Sequence, residues 1–487
     1  MVKVFKKGLA AVLMVSASIM AHGQATRLLF PNPVGIKEWG FSATEYNGYS
    51  LIGSEFWSGL NVFKNNQLLF QTQGPGSGLF GYSHGMNSSW IAAGAPQTGN
   101  VNQGAVYLSK HLNGNPQNNF NTVITALNPG DHDQFGRALD IHDNWMVIGA
   151  PNVSNSQHGG YIEIWNLVNN NWVRKTVIAN GSGNVHADFG ISVAIRGNKI
   201  VVGAPGDHSI YIYKYQNNAW TLEQGYAPNP AAWGIPIYDQ FTGLPVYQTR
   251  FGYDVDITDN HVIAGDPSAR KSAVLVFQNN LWSLKSTLVP PATSGTGAGD
   301  QFGHSVAIQY NRAVVGAPRG ASAGTNPEQG KVYLYNDEGG YKYKGILNVG
   351  TPANLTVRAL GYAVAIDGDN VLAGASNSDN QLTIGNEGAA FRMPFYQYTP
   401  YRSAHDFDLD EESAGKAIIY PNPSSGNEVK LNNNLSVVSA EVVSLIGEII
   451  PLTVSEGTIN VSTLKKGIYN IKIKTDTEVF TEKLVVE

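Results

Sequence analysis

Phe302-Gly303-His304-Ser305-Val306-Ala307-Ile308-Gln309-Tyr310-Asn311-Arg312-Ala313-Val314-Val315-Gly316-Ala317-Pro318 decides the fold. Ser305 to Ile308 alternate small and bulky residues, the period-two pattern of a strand. Asn311 is a turn former, and Ala313-Val314-Val315 reads as a strand buried on both faces. The stretch therefore spells a hairpin, and the chain writes it seven times. The clear copies open at Phe135-Gly136, Phe189-Gly190, Phe251-Gly252 and Phe302-Gly303. They close at Gly149-Ala150-Pro151, Gly203-Ala204-Pro205, Gly265-Asp266-Pro267 and Gly316-Ala317-Pro318. Looser copies run from Trp39-Gly40 to Gly53-Ser54, from Phe80-Gly81 to Gly94-Ala95-Pro96, and from Leu360-Gly361 to Gly374-Ala375-Ser376. In every copy the first residue and the closing glycine stand 14 positions apart, and the copies recur every 41 to 62 residues.

Each closing glycine is followed by a third apolar strand, as at Tyr161 to Trp165, Ile210 to Tyr213, Val274 to Phe277 and Val332 to Tyr335. An Asn-rich turn then leads to a fourth, opened by Asn171-Trp172, Asn218-Ala219-Trp220 or Asn280-Leu281-Trp282. Four strands per repeat in seven repeats predict an all-β fold, a seven-bladed β-propeller over residues 24–398. The seventh repeat lacks a Trp-led fourth strand. Residues 26–31, which resemble Ser286-Thr287-Leu288-Val289-Pro290, are expected to supply it and lock the ring.

The rest of the chain reads differently. Residues 1–23 have the form of a secretory signal peptide: Lys3, Lys6 and Lys7, an apolar run over 8–21, and Ala21-His22-Gly23 before a cleavage site at Gln24. No later segment is apolar enough to span a bilayer as a helix. Residues 399–416, with Asp406, Asp408, Asp410, Glu411 and Glu412, read as an acidic linker. Residues 417–487 return to short strands and predict a small Ig-like β-sandwich. The net charge of −5 and the lack of basic runs argue against nucleic acid, and the absence of cysteine excludes disulfides and Cys-bound metal.

The seven hairpins resemble the FG-GAP repeats of integrin-α-like propellers. Such repeats often hold a calcium loop between the Phe-Gly and Gly-Ala-Pro parts. Here that interval is too short, and the turns His142-Asp143-Asn144 and Asp367-Gly368-Asp369 offer too few oxygens, so neither calcium nor any other metal or cofactor is expected. The C-terminal region resembles the type A sorting domain of the type IX secretion system of Bacteroidota. The matching residues are Tyr420-Pro421-Asn422-Pro423, Gly467-Ile468-Tyr469 and the terminal Glu482-Lys483-Leu484-Val485-Val486. That resemblance implies the type IX secretion machinery as a partner. It also implies export through the periplasm, then release or attachment to the outer cell surface.

Motifs of catalysis dissolve into the repeat. Gly81-Tyr82-Ser83-His84-Gly85 fits the nucleophile-elbow pattern but lies in register with Gly303-His304-Ser305-Val306-Ala307, inside a strand. Gly76-Ser77-Gly78-Leu79-Phe80-Gly81 opens a strand, so no helix N-terminus awaits a phosphate. Asp406 to Asp410 mimics a calcium loop but has Glu411 where glycine is needed. The longest interval between copies, residues 224–250, is rich in aromatics. Tyr226, Trp233, Tyr238, Phe241 and Tyr247 are the candidate ligand-binding residues, because long loops on rigid scaffolds carry recognition. The expectation is a secreted or surface-attached, non-enzymatic adhesion or binding protein for a glycan or protein. The alternatives are a purely structural surface component, or a glycan hydrolase or lyase using Asp140 and Asp256, five positions into their repeats.

Overall fold

A computed structural model describes residues 25–30, 37–395 and 419–486, apart from the internal segments 76–77, 113, 153–157, 239–244, 292–298, 320–328, 348, 350–354, 381–386, 421–427, 432–436, 444–448, 456–457 and 476–478. The signal-peptide and acidic-linker expectations fall outside the described residues. Contacts divide the chain into two units, Met1–Tyr401 and Arg402–Glu487.

The described residues of the first unit form seven four-stranded antiparallel sheets. Their innermost strands are Trp39–Tyr46, His84–Met86, Ala138–His142, Val193–Arg196, Val255–Ile257, Ser305–Gln309 and Leu360–Asp367. Each touches the next, and the last touches the first, so the sheets close into a propeller ring. The Asn doublets make the outer hairpins tight. Asn65-Asn66, Asn169-Asn170, Asn217-Asn218 and Asn279-Asn280 all take φ between 48° and 69°. Two consecutive positive φ angles define the turn whose twist matches a two-residue hairpin, and Asn tolerates them best after glycine.

The repeat signature is explained by how neighbouring sheets meet. The first residue of each copy fills the core between sheets and is at most 3% exposed. The glycine after it has φ between 85° and 91°. Its carbonyl oxygen points at the closing glycine of the preceding copy, where a Cβ would lie only 1.9 to 2.1 Å from that oxygen. The series runs Gly53 on Gly81, Gly94 on Gly136, and onward to Gly374 on Gly40, which closes the circle. Side chains would hold the sheets apart, so glycine recurs in both columns.

Closure uses the N-terminal strand as expected. Thr26–Leu28 pairs antiparallel with Ala389–Pro394, matching Thr26 with Arg392 and Leu28 with Ala390. Leu28, Trp39, Ile52, Phe63, Leu372 and Ala390 pack into one cluster across the joint. The buried pair Arg392 Nε–Glu45 Oε1, 2.7 Å, spans it as well.

The second unit is a seven-stranded sheet with Ile449–Ser455 as its hinge strand. The N-terminal half of that strand pairs with Val437–Val443, and its C-terminal half pairs with Thr458–Asn460. Both halves contribute to one core of Val429, Ala440, Val442, Leu452, Ile459, Ile471, Ile473 and Leu484. A sheet folded over a shared core is the sandwich arrangement the sequence predicts.

Candidate functional site

The innermost strands surround a cavity of about 1020 Å³ along the ring axis. An innermost strand is a sheet edge, so its free N–H and C=O groups need partners other than a fifth strand. The third residue of each copy lies at the Phe-Gly end of the channel: Phe41, Tyr82, Arg137, Ile191, Tyr253, His304 and Tyr362. These side chains form a collar. The Arg137 guanidinium lies 5.1 Å from the Tyr82 ring centre, Tyr82 is 4.7 Å from Phe41, and Phe41 is 5.0 Å from Tyr362. Tyr362 is 4.6 Å from His304, which is 5.1 Å from Tyr253, and Arg250 lies 4.8 Å from the Tyr253 ring centre. Asp188 senses both arginines and stands where the circle would otherwise be open. The collar rings pack against one another and keep part of their surface exposed.

Burial sets the charge states here. It pushes His304 down to about 4, leaving a neutral imidazole whose Nδ1 lies 3.1 Å from the Tyr362 carbonyl oxygen. Burial also raises the phenols of Tyr82 and Tyr362, which stay protonated. The Asp188 carboxyl is raised by burial against the pull of Arg250 and Arg137.

One residue deeper, hydroxyls latch sheet to sheet. Ser42, Ser83, Ser192 and Ser305 donate to the carbonyl oxygens of Gly81, Gly136, Gly252 and Gly361 at 2.8 to 3.0 Å. Ser83, the nucleophile-like residue of the elbow pattern, is thus a latch. In the same column Asp254 accepts from the Val306 amide at 2.7 Å. His84 bridges the first two sheets, with Nε2 2.9 Å from Ser42 Oγ and Nδ1 2.9 Å from Thr44 Oγ1. Ser42 gives its own proton to the Gly81 carbonyl oxygen, so Nε2–H donates to Ser42 Oγ, while the Thr44 hydroxyl donates to the His84 carbonyl oxygen at 3.0 Å.

At the waist the cavity is lined by Thr44, Asp140, Ala194, Asp256, Ala307 and Ala365, mostly small, which keeps the channel open. Asp140 accepts from the amides of Ile141 and Ile195 at 2.7 and 2.8 Å. Asp256 accepts from those of Ile257 and Ile308, both 2.7 Å. Both carboxylates line one cavity and repel each other, and each oxygen already serves an otherwise unpaired edge amide. Burial raises Asp140 and pushes Asp254 and Asp256 up to about 7. Among the described residues no group of three His, Cys, Asp or Glu is placed to hold a metal ion.

The aromatic segment 224–250 folds differently from an open recognition loop. Trp233 is 5% exposed, packs on Phe251 with ring centres 5.4 Å apart, and gives its indole N–H to Asp266 Oδ2 at 2.9 Å. Tyr226 packs on the same ring at 5.9 Å. Tyr226 is half-buried and packs against the edge of the core of this sheet. Trp233 belongs to that core, which corrects the expectation of an exposed stacking residue for it. The reason is Asp266, which replaces alanine in the Gly-Ala-Pro of this one copy. It is fully buried and also accepts from Thr249 Oγ1 at 2.6 Å and from the amides of Arg250, Ser268 and Ala269. Both ends of the insertion are pinned to it. Between them, Ile235–Tyr238 and Pro245–Gln248 pair as a hairpin, with Tyr247 opposite Pro236 and Tyr238 opposite Pro245. Phe241 lies outside the described residues. The hairpin runs through Thr249 directly into Arg250, so it rises from the collar end of the ring.

In the second unit, Tyr420 lies on Ile419–Tyr420, opposite Lys430. Pro421, Asn422 and Pro423 lie outside the described residues. Gly467 opens the strand Gly467–Thr475, Tyr469 donates its hydroxyl to the Lys465 carbonyl oxygen at 2.8 Å, and Lys483 sits opposite Asn470.

Sequence reasoning missed the collar. The signal was present in the aligned repeats, where the third column holds Phe41, Tyr82, Tyr253, His304 and Tyr362, rings at positions that core packing does not require.

With this geometry in hand, the likenesses to known proteins can be placed. Residues 418–487 match the family described as Secretion system C-terminal sorting domain. Residues 119–161, 172–215 and 282–335 match the FG-GAP repeat, each stretch enclosing one Phe-Gly to Gly-Ala-Pro hairpin. No curated relative matches the sequence. Two solved structures share 11% and 10% identity, both at a TM-score of 0.44. They are the WD40 beta propeller domain of Doa1, covering 77% of this chain and 98% of its own, and Saccharomyces cerevisiae Sqt1, covering 96% and 98%. Among the described residues no helix is long and apolar enough to cross a membrane. The chain thus joins FG-GAP repeats in a propeller to a type IX sorting tail, the composition of a secreted or outer-surface protein.

Proposed function

We propose that this is a binding protein, without catalytic activity, that captures a glycan or protein ligand at the Phe-Gly end of its propeller. In this reading the signal peptide delivers it to the periplasm, and the sorting tail hands it to the type IX machinery for release or surface attachment. The observation that carries the binding role is the collar. Five rings and two stacked guanidinium groups surround the mouth of an open, polar-walled channel. Rigid strands hold them, and amphipathic rings at a concave mouth are the anatomy of a recognition site.

The test is a glycan and protein-partner screen with the full chain, repeated with Tyr82→Ala and Tyr253→Ala. Loss of the captured ligand in both variants supports the collar, and unchanged capture refutes it. Turnover of a bound glycan by the wild type, abolished by Asp256→Asn, would replace binding with hydrolysis. Deleting residues 417–487 should strand the chain in the periplasm, and normal export of the truncation would remove the sorting role.

A further inference from the structure

Over residues 65–130 the chain carries a single charged side chain, Lys110, although charged residues make up 14% of the whole. Those residues build the outer strand of the first sheet, Gln67–Gln73, and the whole of the second, which ends on its outer strand Thr122–Ile124. The two sheets are neighbours, and Asn118 Nδ2 lies 3.5 Å from the Gln71 carbonyl oxygen, so the stretch forms one sector of the ring's circumference. Leu68, Leu69, Leu112, Val123 and Leu127 stand on it, 37 to 63% exposed. Exposed aliphatics elsewhere on the circumference are interleaved with charge: Val173 beside Arg174 and Lys175, Leu222 beside Glu223, Leu284 beside Lys285.

An outer strand is a free sheet edge, and edges are kept from pairing by bulges and charges. Five outer strands carry a bulge at the same level of the third strand. The extra residue is Leu69, Lys175, Glu223, Lys285 and Lys344 in turn. The four charges are each held by a polar neighbour: Lys175 by Asn218 Oδ1 at 3.0 Å, Glu223 by the Trp282 indole at 2.8 Å, Lys285 by Asp337 and Lys344 by Glu338. The first sheet keeps the bulge but has Leu69 in the place of the charge, and its outer strand holds no charged residue. We infer that this sector is a dimer interface, through which the chain meets a second copy of itself about a two-fold axis. A two-fold contact sets one patch against the same patch. At the other bulged edges that would oppose like charges, whereas here leucine meets leucine. Gln67, Gln71 and Gln73 carry both donor and acceptor groups and can pair with their counterparts. The chain has a net charge of −5, so two copies approach with least opposition where neither carries charge. Interface cores are depleted in charge for the same reason. Lys110, the one exception, lies over the Trp90 ring at 5.8 Å.

The test is sedimentation velocity on the full-length protein from about 1 to about 100 μM, at low and high salt. The expected result is a monomer–dimer equilibrium that salt does not weaken, since no ion pair holds it. Leu69→Lys gives the first sheet the residue that the third, fifth and sixth carry at their bulges. It should raise the dissociation constant by about tenfold or more, as should Val123→Lys. Leu281→Lys, on an edge that already carries charge, should leave the equilibrium unchanged. All three sites are exposed, and thermal unfolding checks that each variant is folded. Hydrogen exchange at residues 67–73 should slow as concentration rises. A monomer at every concentration overturns the inference and leaves the sector to a partner of another kind. A dimer that Leu69→Lys and Val123→Lys do not weaken, or that dissolves in salt, is held elsewhere and overturns it as well.

Discussion

Two rings of seven positions lie close together in this propeller, and they obey opposite rules. One is the column of closing glycines, Gly53 through Gly374; the other is the collar, Phe41 through Tyr362. The first repeats a single residue because each Cβ position is occupied by the backbone of the next sheet. The second holds an aliphatic, two kinds of phenyl ring, an imidazole and a guanidinium because its side chains meet one another at the channel mouth and not the backbone of the next sheet. Uniformity marks where sheets touch, and variety marks where the molecule is free to recognise something. The largest effect should therefore come from the uniform ring at its weakest point. Gly374→Ala places a methyl 1.9 Å from the Gly40 oxygen at the joint between last and first sheets. Backbone on both sides leaves no flexible group to yield, so the loss in thermal or denaturant unfolding should be about 3 kcal/mol or more. Gly181→Ala, with nothing within 4 Å, should lie within about 0.5 kcal/mol of wild type. Equal stability of the two variants would dissolve the account of the repeat.

A departure from uniformity inside the scaffold should have a cost of its own when reversed. Asp266→Ala restores the residue that the clear copies carry, yet it should destabilise. The carboxylate serves the Trp233 indole, the Thr249 hydroxyl and three amides, all of which would lose their acceptor in a buried site. About 3 kcal/mol is expected, with faster hydrogen exchange at residues 245–250. A neutral result would mean that the hairpin is not anchored there.

His84 is the comparable exception in the column beneath the collar, where the other copies place aliphatic residues. Burial holds its folded-state pKa down at about 4. Between about 6.5 and 4 the unfolded chain takes up a proton that the folded chain refuses, so stability falls as pH falls through that window. The loss at pH 5 should be about 2 kcal/mol. Asp254 and Asp256, raised to about 7, act with the opposite sign: their contribution is present at low pH and lost as pH rises through the range from about 4 to 7. Comparing unfolding at pH 5 and pH 7 for wild type and His84→Gln separates the two. An equal pH dependence in both proteins would show that His84 is not held neutral.

How much of this was legible beforehand follows from the same contrast. The repeat spacing, the turns and the N-terminal closing strand could be read because each is local: an Asn doublet, a period of two, a glycine at fixed distance. The sorting tail could be read because its motifs are contiguous. Trp233 could not be placed, since whether an aromatic faces solvent or core depends on a partner 33 residues away, Asp266. Even so, an acid standing in the alanine column of the one copy with an insertion was a visible clue. The collar escaped because its members are some 50 residues apart and become neighbours only when the ring closes. The latch roles of Asp140 and Asp256 escaped for the same reason. The amides of Ile195 and Ile308 that they accept from belong to the next sheet.

The smallest effect should come from the collar, and it is the one that decides whether the two rings differ in kind. Tyr253 is half-buried, and its described ring contacts are Arg250 at 4.8 Å and His304 at 5.1 Å. Truncating it removes part of an aromatic face and two weak ring contacts, and it opens no cavity in the inter-sheet core, whose Phe251 and Phe302 are untouched. A loss of about 1 kcal/mol is expected in denaturant unfolding. The glycine variant should lose several times more although it changes a single carbon. If Tyr253→Ala proved as damaging as Gly374→Ala, the collar would be another part of the scaffold, packed for stability. The variety of its residues would then need a structural cause. If the loss is small, the rings are held at the mouth without being needed to hold the fold. That leaves ligand contact as the role to which their arrangement is suited.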